Sequence, residues 1–173
     1  WTQFRGGVAR TGHVADGQPD PARGGVHWVF QPGSDVNFYS SPTVVGNRVY
    51  VASAKVSLFD RQGQGHVYAL DAETGAVVWR GGPPGYRATF SSPAVVGNRL
   101  AIGEGLHEAR DSRVSVLDLD RGGELMWTYR TNSHTESSPV IHRGRVYFGA
   151  GRDGYYGFEL EPDENGEGRM LWH

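Results

Sequence analysis

The stretch at 69–79, Ala-Leu-Asp-Ala-Glu-Thr-Gly-Ala-Val-Val-Trp, constrains this chain most because it returns in altered form along the sequence. It reads A-x-D-x-x-T-G-x-x-x-W. Upstream, 24–28 keeps only the tail, G-x-x-x-W. Downstream, Val116-Leu117-Asp118 leads to a second tail at 123–127, with one extra residue between Asp and Trp. Gly157-Phe158-Glu159 leads to a third at 168–172, with Glu for Asp and a five-residue insertion. The four tryptophans, Trp28, Trp79, Trp127 and Trp172, are 51, 48 and 45 residues apart. A second landmark keeps the same beat. Ser-Ser-Pro occurs at 40–42, 91–93 and 137–139, and each first serine is followed eight residues later by an arginine: Arg48, Arg99 and Arg145. Two landmarks at matched offsets establish a tandem repeat, which decides the architecture before any local reading does.

Each period reads as four short strands. In the first, 42–45 is a strand, Gly46-Asn47 a hairpin turn, and 48–52 a second strand of alternating character. A long loop over 53–65 leads to strands at 66–70 and 76–80, separated by the turn at 71–75. The second period places strands at 93–96, 99–103, 113–117 and 125–130. The third places them at 139–142, 145–150, 155–160 and 169–172. Four antiparallel strands per unit of this length is the plan of a β-propeller blade. The expected fold is therefore all-β, a single partial propeller domain over 1–173 with blades at 40–80, 91–130 and 137–172. The remaining 1–31 is an N-terminal segment ending in an orphan strand, 26–31, which belongs on the outside of a further blade.

Within the motif, Asp71 and Thr74, like Asp118 in the next copy, bond the backbone of a tight turn, and Gly75 supplies positive φ. Trp79, Trp127 and Trp172 sit on outer strands, where each can lie over a neighbouring blade and bury a large apolar face. The 26 glycines and nine prolines fit a chain of short strands and turns. No apolar run approaches the roughly 18 residues of a membrane helix. The net charge of −2 gives no global attraction to nucleic acid or anionic membrane. The absence of cysteine excludes disulfides, thiolate metal sites and a cysteine nucleophile.

In a blade, the connection between second and third strands and the segment entering the next blade share one face. On that face the sequence places Tyr39, Phe90, His107, Glu108, Asp111, His134 and Glu136 as ligand-face candidates. His107, His134 and Glu136, with Glu108 beside them, offer imidazole and carboxylate donors suited to a divalent metal. No short H-x-x-x-H pattern accompanies them, and solvated loop residues are the plain alternative. Asp163-Glu164-Asn165-Gly166-Glu167-Gly168 matches the first half of a calcium loop, but it falls in a hairpin insertion and reads as an acidic turn.

The motif at 69–79, with S-S-P and the R-V-Y at 48–50, resembles the pyrroloquinoline-quinone-type repeat. That family builds the propellers of quinoprotein alcohol dehydrogenases. It also builds propellers that bind no quinone, among them the periplasmic subunit of the outer-membrane barrel assembly machine. The opening Trp-Thr-Gln-Phe-Arg-Gly resembles the mature start of exported bacterial members, which implies a periplasmic or otherwise exported protein. The resemblance implies a scaffold presenting its loop face to a protein or small-molecule ligand, with no quinone. Its alternative is a fragment of a dehydrogenase dependent on pyrroloquinoline quinone and calcium. The vicinal cysteine pair that typically covers the quinone is absent from this chain. Further blades of a longer chain, or further copies, are expected to close the ring.

Overall fold

A computed structural model of the protein describes residues 2–6, 8–10, 24–57 and 60–173. Its strands, in chain order, are β1 (Thr43–Val45), β2 (Arg48–Ala52), β3 (Lys55–Ser57), β4 (Asp60–Gln64), β5 (Val67–Asp71), β6 (Val77–Gly81) and β7 (Ala94–Val96). They continue as β8 (Arg99–Gly103), β9 (Ser112–Asp118), β10 (Glu124–Thr131), β11 (Val140–His142), β12 (Arg145–Gly149), β13 (Tyr155–Glu159) and β14 (Met170–Trp172). Three four-stranded antiparallel sheets result, β1-β2-β5-β6, β7-β8-β9-β10 and β11-β12-β13-β14. Each is a propeller blade. The short first strands β1, β7 and β11 lie beside one another, which places them on the inner side of the arc.

The two sequence landmarks prove to be bonded to each other. Arg48 pairs in register with Asp71, and its guanidinium lies 3.4 Å from the carboxylate. Arg99 meets Asp118 at 3.3 Å and Arg145 meets Glu159 at 3.8 Å, each again opposite its partner in the ladder. The carboxylate also builds the turn that follows it. Asp71 Oδ1 accepts the N–H of Glu73 (3.1 Å) and Thr74 (3.0 Å) and the Thr74 hydroxyl (3.0 Å). These bonds, the Thr74 N–H first, hold the Asp71 carboxyl below the ordinary aspartate range.

The serines of Ser-Ser-Pro tie blades internally and to one another, and Ser91 does both, since its hydroxyl also donates to Ser137 O (2.9 Å) at the next blade. The first of each pair stitches its own blade: Ser40, Ser91 and Ser137 accept the N–H of Ala52, Gly103 and Gly149 at 2.9–3.1 Å. The second reaches between blades. Ser41 N–H donates to Ser92 Oγ (2.9 Å), and Ser92 N–H donates to Ser138 Oγ (3.0 Å).

Tryptophan closes each junction on the outer side. Trp28 lies on Gly75, Trp79 on Gly123 and Trp127 on Gly168, where an added Cβ would stand 2.6–2.8 Å from the indole. Gly75 (φ 72°) and Gly123 (φ 82°) also occupy left-handed backbone. The requirement common to all three is the missing Cβ. Between the second and third blades, Trp127 joins Ala94, Val116, Val146, Phe148 and Phe158 in one buried cluster. Between the first and second, Tyr50, Ala69, Val95, Leu100 and Leu117 form the other, with Trp79 packed against it. Trp172 departs from the pattern. It lies back on its own sheet, over Gly157 and 6.0 Å from Tyr147.

Two expectations need correction. Residues 26–31 do not form a strand: an outer strand requires an inner neighbour to exchange backbone bonds with, and none of the described residues provides one. Side chains hold the segment instead. The Trp28 indole donates to Ala72 O (3.0 Å), and Phe30 packs on Phe38 and Tyr68. Residues 53–65 are not a plain loop, since β3 and β4 pair as a separate hairpin. The run 60–64, Asp-Arg-Gln-Gly-Gln, has no apolar alternation, so no periodic signal marked it.

Residues near the N-terminus reach the inner strands. Thr2 O accepts the Val95 N–H (2.9 Å). The Gln3 amide exchanges two bonds with the Ile141 backbone, donating at 3.1 Å and accepting at 3.0 Å. Gln3 is buried, and its side chain replaces one rung of a strand ladder beside β11.

Candidate functional site

The part of the expected face at the second and third blades is built chiefly from three connections, 82–92 before β7, 104–111 between β8 and β9, and 132–139 before β11. Its anchor is Glu104, which follows the buried strand β8 and is 1% exposed. Arg113, on β9, grips it with Nε at 2.7 Å from Oε1 and Nη2 at 2.8 Å from Oε2. The same guanidinium donates to Pro84 O and Gly85 O, both at 3.0 Å, so one charge pair fixes the turn that enters the second blade. Glu104 raises the affinity of Arg113 for its proton, chiefly through the hydrogen-bonded contact. The Glu104 backbone reaches the third blade: its N–H donates to Thr135 Oγ1 (2.9 Å), and its carbonyl accepts the Thr135 N–H (3.1 Å). Gly103 permits this crossing, because a Cβ there would stand 2.0 Å from Thr135 O.

The other candidates divide into three groups. Tyr39 and Phe90 meet edge to face at 5.0 Å and are 53% and 43% exposed. They come from equivalent places before β1 and β7, so the structure joins them across a blade junction.

Asp111 belongs to an arginine clamp. Arg87 approaches its carboxylate at 3.1 and 3.3 Å and also donates to its backbone carbonyl, and Arg130 adds a contact at 3.2 Å. The Arg87 hydrogen bond holds the Asp111 carboxyl below the ordinary range. A carboxylate so neutralised is a poor general base. Asp153, in the connection between β12 and β13, is similarly committed. It accepts the Asn132 N–H (2.7 Å) and the Tyr156 hydroxyl (2.7 Å). Burial alone would raise this carboxyl, but the Asn132 and Tyr156 donors outweigh it and lower it, while burial and Asp153 push the Tyr156 phenol up.

The third group is His107, His134 and Glu136. The imidazoles lie 4.9 Å apart between ring centres, and His107 Nδ1 is 3.9 Å from Glu136 Oε2. One donor atom from each falls within 4.8 Å of the others. Glu108 lines the same groove as the two histidines, with Ser133, Arg110 and Arg152. Asp163 is absent from this face; its Oδ1 accepts the N–H groups of Asn165 and Glu167, both at 2.9 Å, as a turn-forming carboxylate does.

The Glu104–Arg113 pair and its link to Thr135 escaped the sequence reading as a unit. The available signal was Glu104 itself, a charge directly after Arg-Leu-Ala-Ile-Gly. Nothing local marked Arg113 or Thr135 as its partners.

The lowered carboxyls carry a pH prediction. A carboxyl whose folded value is depressed contributes stability in full above its unfolded value, about 3.9 for aspartate, and loses it as pH falls through the folded value. With Asp71, Asp111 and Asp153 all depressed, the carboxylate contribution should be constant above about pH 5 and decline steadily below about pH 4. Thermal melts across that range should show Asp153→Asn with a shallower acid slope than the parent. An unchanged slope would contradict the assignment.

A family model described as outer membrane protein assembly factor BamB, built on PQQ-like repeats, matches residues 18–172. The crystal structure of BamB from Moraxella catarrhalis superposes with a TM-score of 0.51 at 20% identity, over 77% of this chain and 35% of that one. At that identity the likeness speaks for the fold alone. Tetrathionate hydrolase from Acidithiobacillus ferrooxidans is 22% identical over 92% of this chain and 38% of its own length. The chain thus spans little more than a third of either relative. Matched repeats over most of the length, together with blades of the same plan, place this chain in the PQQ-like β-propeller repeat family of the BamB type.

Proposed function

We propose that this chain is part of a non-catalytic, exported propeller that binds a protein partner through its loop face. The observation that carries this is the Tyr39–Phe90 pair, two exposed aromatic rings held in contact across a blade junction. Exposed aromatics framed by polar groups are typical anchors of protein interfaces. Elsewhere on the same face several charged groups are already engaged: Glu104 with Arg113, Asp111 with Arg87 and Arg130, and Asp153 with Asn132 and Tyr156. Such pairs fix loop shape and leave little acid–base capacity. The family's description as an outer membrane assembly factor supports both a protein partner and an exported setting.

The test places a photo-crosslinking amino acid at Tyr39 and, separately, at Phe90 in the full-length protein within its native cells. A discrete protein adduct from both positions is expected. In parallel, purified protein titrated with pyrroloquinoline quinone and calcium should leave the quinone absorbance unchanged. Saturable quinone uptake with dye-linked alcohol oxidation would overturn the reading in favour of a quinoprotein dehydrogenase. Failure to obtain an adduct from either position would remove the loop face as the binding surface.

A further inference from the structure

We propose that His107, His134 and Glu136 form a divalent metal site, matched best to zinc, which ties the β8–β9 connection of one blade to the segment entering the next. His107 lies between β8 and β9, whereas His134 and Glu136 lie between β10 and β11. Their donor atoms nevertheless stand within 4.8 Å of one another. Two imidazoles and a carboxylate are a donor set that zinc accepts, with a fourth position left for water or an exogenous ligand.

The approach is looser than a filled site requires. With metal–ligand bonds of about 2.0–2.1 Å, neighbouring donors in a tetrahedral zinc site are about 3.3 Å apart. Closure therefore takes about 1–2 Å of side-chain movement. His107 is positioned to supply it, since its side chain is 84% exposed and can swing without disturbing packing. His134 is the fixed member. Its ring occupies space left by Gly151, where a Cβ would stand 2.6 Å away, and its Nδ1 lies 3.4 Å from Ser133 Oγ. A group that orients a ligating imidazole through its second nitrogen is the usual outer-shell partner of a metal site.

An independent observation points the same way. Glu136 Oε1 is buried and has no hydrogen-bond partner among the described residues, while Oε2 faces His107. Buried carboxylate oxygens are nearly always satisfied by a donor or a cation. A cation between the two histidines and Glu136 gives this carboxylate a partner that no described side chain gives Oε1. The groove in front of the site is lined by Arg110 and Arg152 as well as Glu108, so an anionic fourth ligand would meet two guanidinium groups and one carboxylate there.

The experiment is zinc titration of the full-length protein against a chromophoric chelator, with cobalt(II) as a spectroscopic substitute. One equivalent should bind, and cobalt should give the intense visible absorption of a four- or five-coordinate site. His107→Ala removes a ligand from an exposed position and should weaken binding by more than about 100-fold, beyond the 10–100-fold typical of outer-shell changes. Glu136→Gln should weaken it comparably, while His142→Ala, on the exposed edge of β11, should leave it unaltered. Zinc should raise the melting temperature of the parent and leave that of His107→Ala unmoved. Affinity no tighter than about millimolar, far weaker than that of structural zinc sites, would overturn the proposal. So would tight binding that survives His107→Ala in a variant of unchanged circular dichroism.

Discussion

Trp127→Ala is expected to destabilise the protein by about 3–5 kcal/mol, the range for removing a large aromatic from a packed core. The indole is 2% exposed and stacks on Phe158 at 5.4 Å. It rests on Gly168, and its N–H donates to Leu160 O at 2.8 Å. Removing it opens a cavity between two blades and leaves the Leu160 carbonyl without that donor, so transfer, cavity and hydrogen-bond effects act together. Trp127→Phe should recover part of the loss, because it restores ring contact but not the donor. Trp172→Ala is the internal comparison: that ring is 48% exposed, and its removal should cost about 1 kcal/mol, the centre of the distribution for point substitutions. Urea denaturation followed by circular dichroism measures all three. Equal losses for Trp127 and Trp172 would show that the junction is not held by the buried indole.

Glu104→Ala should cost about 3 kcal/mol, the lower end for breaking a buried ion pair, because Arg113 retains 19% exposure and water relieves part of its isolation. The loss should also be local in its consequences. Glu104 Oε2 accepts the Arg87 N–H (3.3 Å), and the Glu104 main chain is bonded to Thr135 on the adjoining blade. Amide exchange at Arg87 and Thr135 is therefore expected to accelerate before global unfolding does. Arg130→Ala is the control, since this guanidinium is 70% exposed and its pairing with Asp111 is worth at most about 1 kcal/mol. If Glu104→Ala behaved like Arg130→Ala, the buried pair would not be what organises this face.

Most of the fold was legible because its determinants repeat. The eight-residue spacing from Ser40, Ser91 and Ser137 to an arginine, and the recurring Asp or Glu of the turn motif, mark both ends of one ladder rung, as Arg48 and Asp71 show. Trp79 and Trp127 were legible as junction residues, whereas Trp172 was expected at a junction and lies on its own sheet. Of the glycine seats, Gly75 was legible for backbone freedom, whereas the bare Cα that Trp127 needs at Gly168 is a matter of packing that no turn pattern marks. The features that stayed hidden join residues far apart without a recurring pattern. Gln3 meets Ile141, 138 positions away, and neither belongs to a repeat signature. The β3–β4 hairpin occurs in one period alone and carries no alternation. At the candidate site, residue types were readable and pairing was not. Asp111 and Glu136 look alike in sequence, yet one is enclosed by two arginines and the other has a buried oxygen without a donor among the described residues.

The serine bonds between blades run one way. Ser41 gives its N–H to Ser92, and Ser92 gives its own to Ser138, so each unit is a donor toward its successor and an acceptor toward its predecessor. A directed contact of this kind is indifferent to how many units stand in line but sensitive to any fraction of one. Loss or duplication of a complete period leaves every surviving serine facing an equivalent serine. Loss of half a period leaves a donor facing the wrong strand. Gene-level change in such a chain is accordingly granular, able to lengthen or shorten the array in whole blades while interior junctions resist indels of any other size.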